Sequence, residues 1–94
     1  MTPTAQLRRN LAARLHVIRL DLFGEEEAGI TSMAAALGIP AATWTNYESG
    51  VTLPAEVVLR LISLSGANSR WLLTGRGQRY SGPDPREQAF RRQS

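Results

Sequence analysis

The sequence predicts an all-α fold of five helices. Three observations carry this reading. Leu7, Leu11, Leu15, Ile18 and Leu22 recur at intervals of three or four, which places them along one side of a helix. Ala28 to Gly50, AGITSMAAALGIPAATWTNYESG, has the form of a helix, a tight turn and a second helix. No stretch shows the apolar–polar alternation of a half-buried strand.

The first helix is expected over about Thr4 to Leu22. Thr2-Pro3 or Thr4 can begin it, and Phe23-Gly24 ends it. Arg8 and Arg19 fall on the same edge of its apolar stripe and Arg14 on the other. Glu25-Glu26-Glu27 lead into the second helix, expected over about Ile30 to Leu37, where carboxylates suit the positive end of the helix dipole. Met33, Ala34 and Leu37 form its inner face. Gly38 can take the left-handed conformation that stops a helix. Ile39 fills the turn, and Pro40 suits the first turn of the third helix, about Pro40 to Ser49, because its missing N–H costs nothing there.

Trp44 and Tyr47 give that third helix an apolar stripe, and Gly50 ends it. Helices joined by so short a turn must cross, and Ala34 is the small residue where they come closest. After the loop Val51-Thr52-Leu53, Pro54 opens a fourth helix, with Glu56 in its first turn and Val57, Val58, Leu61, Ile62 and Leu64 as its apolar set. It is expected to end near Ser65-Gly66. Asn68 or Ser69 caps a short fifth helix holding Trp71, Leu72 and Leu73, and Gly75 stops it. Trp71 reads as the core plug that closes the bundle. Residues 1–78 are expected to form the domain and residues 79–94 a basic, flexible tail. Gly82, Pro83 and Pro85 interrupt that tail, with helical potential from Pro85 to Arg92.

Ninety-four residues build a single small core, which dimerisation would reinforce. There are no cysteines, no apolar run long enough to span a membrane, and no apolar segment behind the charges of MTPTAQLRRN. A cytoplasmic protein without a signal peptide is the expectation. His16 is the sole histidine, the carboxylates cluster in one solvated run, and no glycine-rich loop follows a strand. No catalytic site, cofactor or metal site is therefore expected.

The net charge is +3, and its distribution matters more than its sum. Residues 1–19 carry +4, residues 20–59 carry −6 with no base, and residues 60–94 carry +5. The basic character lies at the ends of the chain and not on the helix–turn–helix stretch. Nucleic-acid affinity rests on neutralising phosphates, so the arginines outside that stretch would have to supply it.

The ordered set Met33-Ala34, Gly38, Ile39, Thr43-Trp44-Thr45-Asn46-Tyr47-Glu48-Ser49-Gly50, Pro54 and Trp71-Leu72-Leu73-Thr74-Gly75 resembles the phage-repressor family, Cro/cI-type or XRE. The resemblance covers roughly residues 7–78. It implies a five-helix lambda-repressor-like domain, with the third helix as a recognition helix in the major groove of duplex DNA. By resemblance, Ala41, Ala42, Thr45 and Asn46, with Thr43 beside them, read bases, while Ser49 and Thr52 touch phosphates. Apart from the resemblance, Arg8 and Arg9 could reach the phosphate backbone from the first helix. Ala34, Gly38 and Trp44 are structural. The family pairs the counterpart of Glu48 with an arginine of the first helix, here Arg19, with Arg14 second. The chain departs from the family at Ala41 and Ala42, where Gln, Ser or Arg is usual. Only Asn46 offers a bidentate contact to adenine.

Two functions follow as expectations. One is a sequence-specific DNA-binding transcriptional regulator, homodimeric on a two-fold operator. The other is a protein-interaction module of adaptor or antitoxin type on the same fold, engaging a partner through helix three or the tail. The uncharged face of Ala41, Ala42 and Thr45 would suit the second.

Overall fold

Five helices follow one another in a computed structural model that describes residues 3–87: α1 Pro3–Phe23, α2 Glu27–Leu37, α3 Ala41–Glu48, α4 Ala55–Ser65 and α5 Ser69–Thr74. The backbone turns helical again at residues 85–87. The all-α reading holds. Among the described residues the sole strand-like feature is an isolated antiparallel bridge between Ala67 and Tyr80. No helix among them is long and apolar enough to cross a membrane.

The core is built where α1, α2 and α3 meet, with α4 closing against α2 and α5 against α1. Leu15, Ile18, Met33, Trp44, Leu61 and Leu72 are fully buried there. Two of the apolar residues assigned to the core lie elsewhere. Leu7 is 60% exposed and Leu64 is 40% exposed. The stripe of α1 drifts off the core because α1 extends beyond the elements that pack on its C-terminal half. Trp71 is only partly buried, with the Arg79 guanidinium over its ring, whereas its neighbour Leu72 is the residue that plugs the bundle.

Helix boundaries follow local chemistry. Gly38 sits at φ 72°, its N–H bonds to Ala35 O and the Ile39 N–H reaches back to Ala34 O, the paired closure that ends a helix on a left-handed glycine. Pro40 and Pro54 are N-caps rather than first helical residues, and their carbonyls accept the first bonds of α3 and α4. Asn68 Oδ1 accepts from the Arg70 N–H and caps α5. α2 starts at Glu27, earlier than Ile30. A Cβ on Gly29 would lie 2.4 Å from the Gly24 carbonyl oxygen, so this glycine lets the first turn of α2 press against the end of α1. Glycine's poor helix propensity is what makes that turn unreadable from sequence.

The segment after α5 changes the expected domain boundary. Asn68 N–H donates to Arg79 O and Ser81 N–H to Gly66 O, pinning residues 79–81 beside the α4–α5 connection. Tyr80 is buried in the core, and its hydroxyl donates to Asp21 Oδ2 of α1 at 2.7 Å. Arg79 Nη1 donates to the same oxygen at 2.7 Å, and Arg86 approaches it at 3.9 Å. The folded unit thus includes the first residues assigned to the tail. Residues 82–87 follow, with the start of the helix expected from Pro85 present at 85–87; the rest of that helix through Arg92, and the tail from residue 88, lie outside the described residues.

Candidate nucleic-acid interface

α3 offers its outward face through Ala42, Thr45, Asn46 and Ser49, all exposed and spaced as one side of a helix. Trp44 and Tyr47 face the opposite way into the core. Ala41 and Thr43 are half-buried, and Ala41 packs against the core, so its methyl is partly spent on folding. Thr45 Oγ1 donates to Ala41 O at 3.1 Å, and Ser49 Oγ donates to Thr45 O at 2.8 Å. Both hydroxyl protons are thereby committed to the helix itself. Asn46 alone on this face keeps side-chain donors and an acceptor with no partner among the described residues. A phosphate only accepts, so Ser49 would have to give up its carbonyl to donate to one.

The orientation of α3 is set by a buried polar cluster at its C-terminal end. Arg19, 4% exposed, grips Glu48 with two bonds: Nε to Oε2 at 2.8 Å and Nη2 to Oε1 at 3.1 Å. Its third nitrogen, Nη1, donates to Gly24 O at 2.8 Å, at the end of α1. The Trp44 indole N–H donates to Glu48 Oε2 one turn away. His16 Nδ1 lies 2.6 Å from Glu48 Oε1. An ionised carboxylate can only accept, so the proton sits on Nδ1, and Arg19 Nη2, 3.0 Å from that nitrogen, serves the carboxylate rather than the ring. Burial by itself would raise the Glu48 carboxyl. The hydrogen bonds from Arg19 and His16, the Arg19 charge and the Trp44 indole outweigh it and hold the group below its ordinary 4.5.

Arg14 takes no part in this cluster. Its Nη1 donates to Leu72 O at 3.0 Å and ties α1 to α5. His16 was not legible as a partner, although it precedes Arg19 by three residues and so shares its helix face. The Asp21, Arg79 and Tyr80 latch was likewise missed, because nothing local links residues so far apart in sequence.

The residues assigned to phosphates are divided by the structure. Arg8 and Thr52 line one groove of about 280 Å³ between the N-terminal half of α1 and the loop after α3. Arg9 is exposed and lines no groove described, and Ser49 lies on the α3 face. Arg60 reaches back to Leu37 O at 3.4 Å, beside the turn between α2 and α3. Glu25, Glu26 and Glu27 are exposed at the start of α2 with no ion pair among the described residues. No three His, Cys, Asp or Glu side chains among the described residues converge on a point that would hold a metal. Comparison with protein-family models, with curated proteins and with solved structures gives no match.

Proposed function

We propose that the chain is a sequence-specific DNA-binding regulator that lays α3 in the major groove and acts as a homodimer on a two-fold site. The observation that carries this reading is the outward face of α3. It is uncharged, it is held on a scaffold by the Glu48 cluster, and it presents one uncommitted amide, Asn46. A helix so held can offer its side chains to base edges without reorganising on binding. Asn46 would supply the sharpest base contact, and Ala42 and Thr45 methyl contacts, for instance to thymine. Arg8 and Thr52, which share one groove, and Arg60, beside the turn, would supply the backbone contacts.

Binding to duplex DNA across a salt series tests this. A regulator's affinity falls steeply with added salt, with a logarithmic slope of about −0.9 per phosphate neutralised. Absence of binding to a random duplex pool at low salt would overturn the proposal. Asn46→Ala should weaken binding at particular base positions by ~1–3 kcal/mol and leave folding intact.

One observation favours a protein-interaction module instead. Neither α2 nor α3 carries a cation, while Glu25 to Glu27 stand exposed at the start of α2. A duplex would meet like charge there. A salt-insensitive protein partner bound through α3 would be the result that selects this second reading.

A further inference from the structure

Two grooves meet at Leu7. The first is walled by Leu7, Leu11, Tyr47, Val51 and Leu53, with Arg8 as its one charged residue. The second runs between α1 and α5, lined by Leu7, Arg14, Arg70, Leu73 and Arg76 among others. Leu7, Val51 and Leu73 are each more than half exposed. No carboxylate lines either groove.

The arginines here, like Arg9 and Arg60, differ from three others in the fold. Arg19 is neutralised by Glu48, Arg79 by Asp21 and Arg86 by Asp84. The side chains of Arg8, Arg70 and Arg76 have no hydrogen bond or ion pair among the described residues, and Arg14 meets only the Leu72 carbonyl. Exposed leucines or solvated arginines taken singly are ordinary. Exposed leucines set within unneutralised arginines, on one continuous face, are the pattern of a recognition surface.

Charge selects the occupant. A second copy docking by a two-fold on this face would set guanidinium against guanidinium. A duplex would satisfy the arginines and leave Leu7, Val51 and Leu73 facing phosphate and water. A helix with leucine-like residues along one edge and carboxylates beside them satisfies both sets. We propose that the groove pair centred on Leu7 is a docking site for an acidic amphipathic helix of another protein, with Leu7 and Leu73 as apolar anchors and Arg8, Arg14, Arg70 and Arg76 as the charge rim. This surface is separate from the outward face of α3, although Arg8 and its groove are shared with the phosphate contacts proposed above, and it stands whether or not the DNA reading does.

The test uses the full chain and a synthetic Leu/Glu peptide of about five helical turns, labelled for fluorescence anisotropy. The controls are a scrambled peptide of equal composition and a version with Gln for Glu. The amphipathic peptide should bind with Kd below ~1 mM at low salt and the controls at least about tenfold more weakly. Leu7→Ser with Leu73→Ser, and separately Arg70→Ala with Arg76→Ala, should each cost about tenfold or more. Both pairs are exposed, and circular dichroism confirms that the variants fold. Four results overturn the proposal. One is no peptide binding, and another is equal binding of the scrambled peptide. The third is loss with the arginine pair but none with the leucine pair, which would mean charge attraction alone. The fourth is duplex DNA displacing the peptide while only the arginine pair weakens the duplex, which would assign the face to nucleic acid.

Discussion

The two ends of α1 carry the same kinds of residue and put them to opposite uses. Toward its C-terminal end, Leu15, Ile18 and Arg19 are buried, Arg19 is locked to Glu48, and Asp21 holds Tyr80 and Arg79. Toward its N-terminal end, Leu7 is mostly exposed and Arg8 and Arg9 are solvated. Both regions lie on one helix with one apolar periodicity. What separates them is coverage: α2, α3 and the segment after α5 pack on the former, while the latter borders open grooves. A leucine or an arginine becomes structural only where another element arrives to enclose it.

The sharpest way to break this comparison is to remove the centre of the enclosed end. Glu48→Ala leaves Arg19 buried without its counter-charge and strips acceptors from Trp44 and His16. Breaking a buried pair from one side costs roughly 3–5 kcal/mol, to be read from urea denaturation. An unchanged midpoint would show that the cluster does not hold the fold. The same group predicts a pH dependence. Glu48 has a depressed carboxyl value in the folded chain, so the unfolded chain binds more protons in acid. Its contribution is complete above the ordinary 4.5 and is lost as pH falls through the lower folded value. The stability gap between the wild type and Glu48→Gln should therefore be widest near neutrality and shrink as pH falls below the ordinary 4.5.

These contrasts also explain what could be read in the sequence. The order and type of the helices were legible because Gly38, Pro40, Pro54, Asn68 and Gly75 punctuate them by local backbone chemistry. The inward face of α3 was legible from Trp44 and Tyr47. The two faults of the apolar sets, Leu7 in α1 and Leu64 in α4, arise because periodicity names a face and not its partner. Trp71 and Leu72 exchange roles for the same reason. Among the charges, the contact between Glu48 and Arg19 was suggested only by resemblance, and His16 became part of it through the fold. The Asp21 latch depends on a chain reversal beyond α5 that glycines and prolines make look unstructured. The exposed face of α3 is legible as a set of positions, but what those positions bind is a property of a partner and stays a proposal.

An intermediate effect is expected at the Asp21 latch. Burial, then the hydrogen bond to Asp21 and its charge, push the Tyr80 phenol well above its ordinary value, so the hydroxyl stays protonated and donating. Tyr80→Phe keeps the ring in the core and deletes only that donor. Arg79 still serves the same oxygen, which limits the loss to ~1–2 kcal/mol. Hydrogen exchange at the Asn68 and Ser81 amides should accelerate with it, since both amides pin this segment. Loss of stability without faster exchange there would place the effect in the core instead.

The smallest expected effect belongs to the open end. Leu7→Ser and Arg8→Ala remove side chains that no element encloses, so each should change stability by less than about 0.5 kcal/mol. Truncating a leucine at an enclosed position of this helix, Leu15→Ala, should cost ~2–5 kcal/mol. The pair makes the comparison quantitative within one helix and one stripe. If Leu7→Ser proved as costly as Leu15→Ala, the N-terminal half of α1 would be enclosed in solution by something beyond this chain's described residues, and its exposed leucine would already be in use. Repeating the Leu7→Ser measurement over a protein dilution series would then identify a second copy as that cover, because only self-association makes the cost depend on concentration.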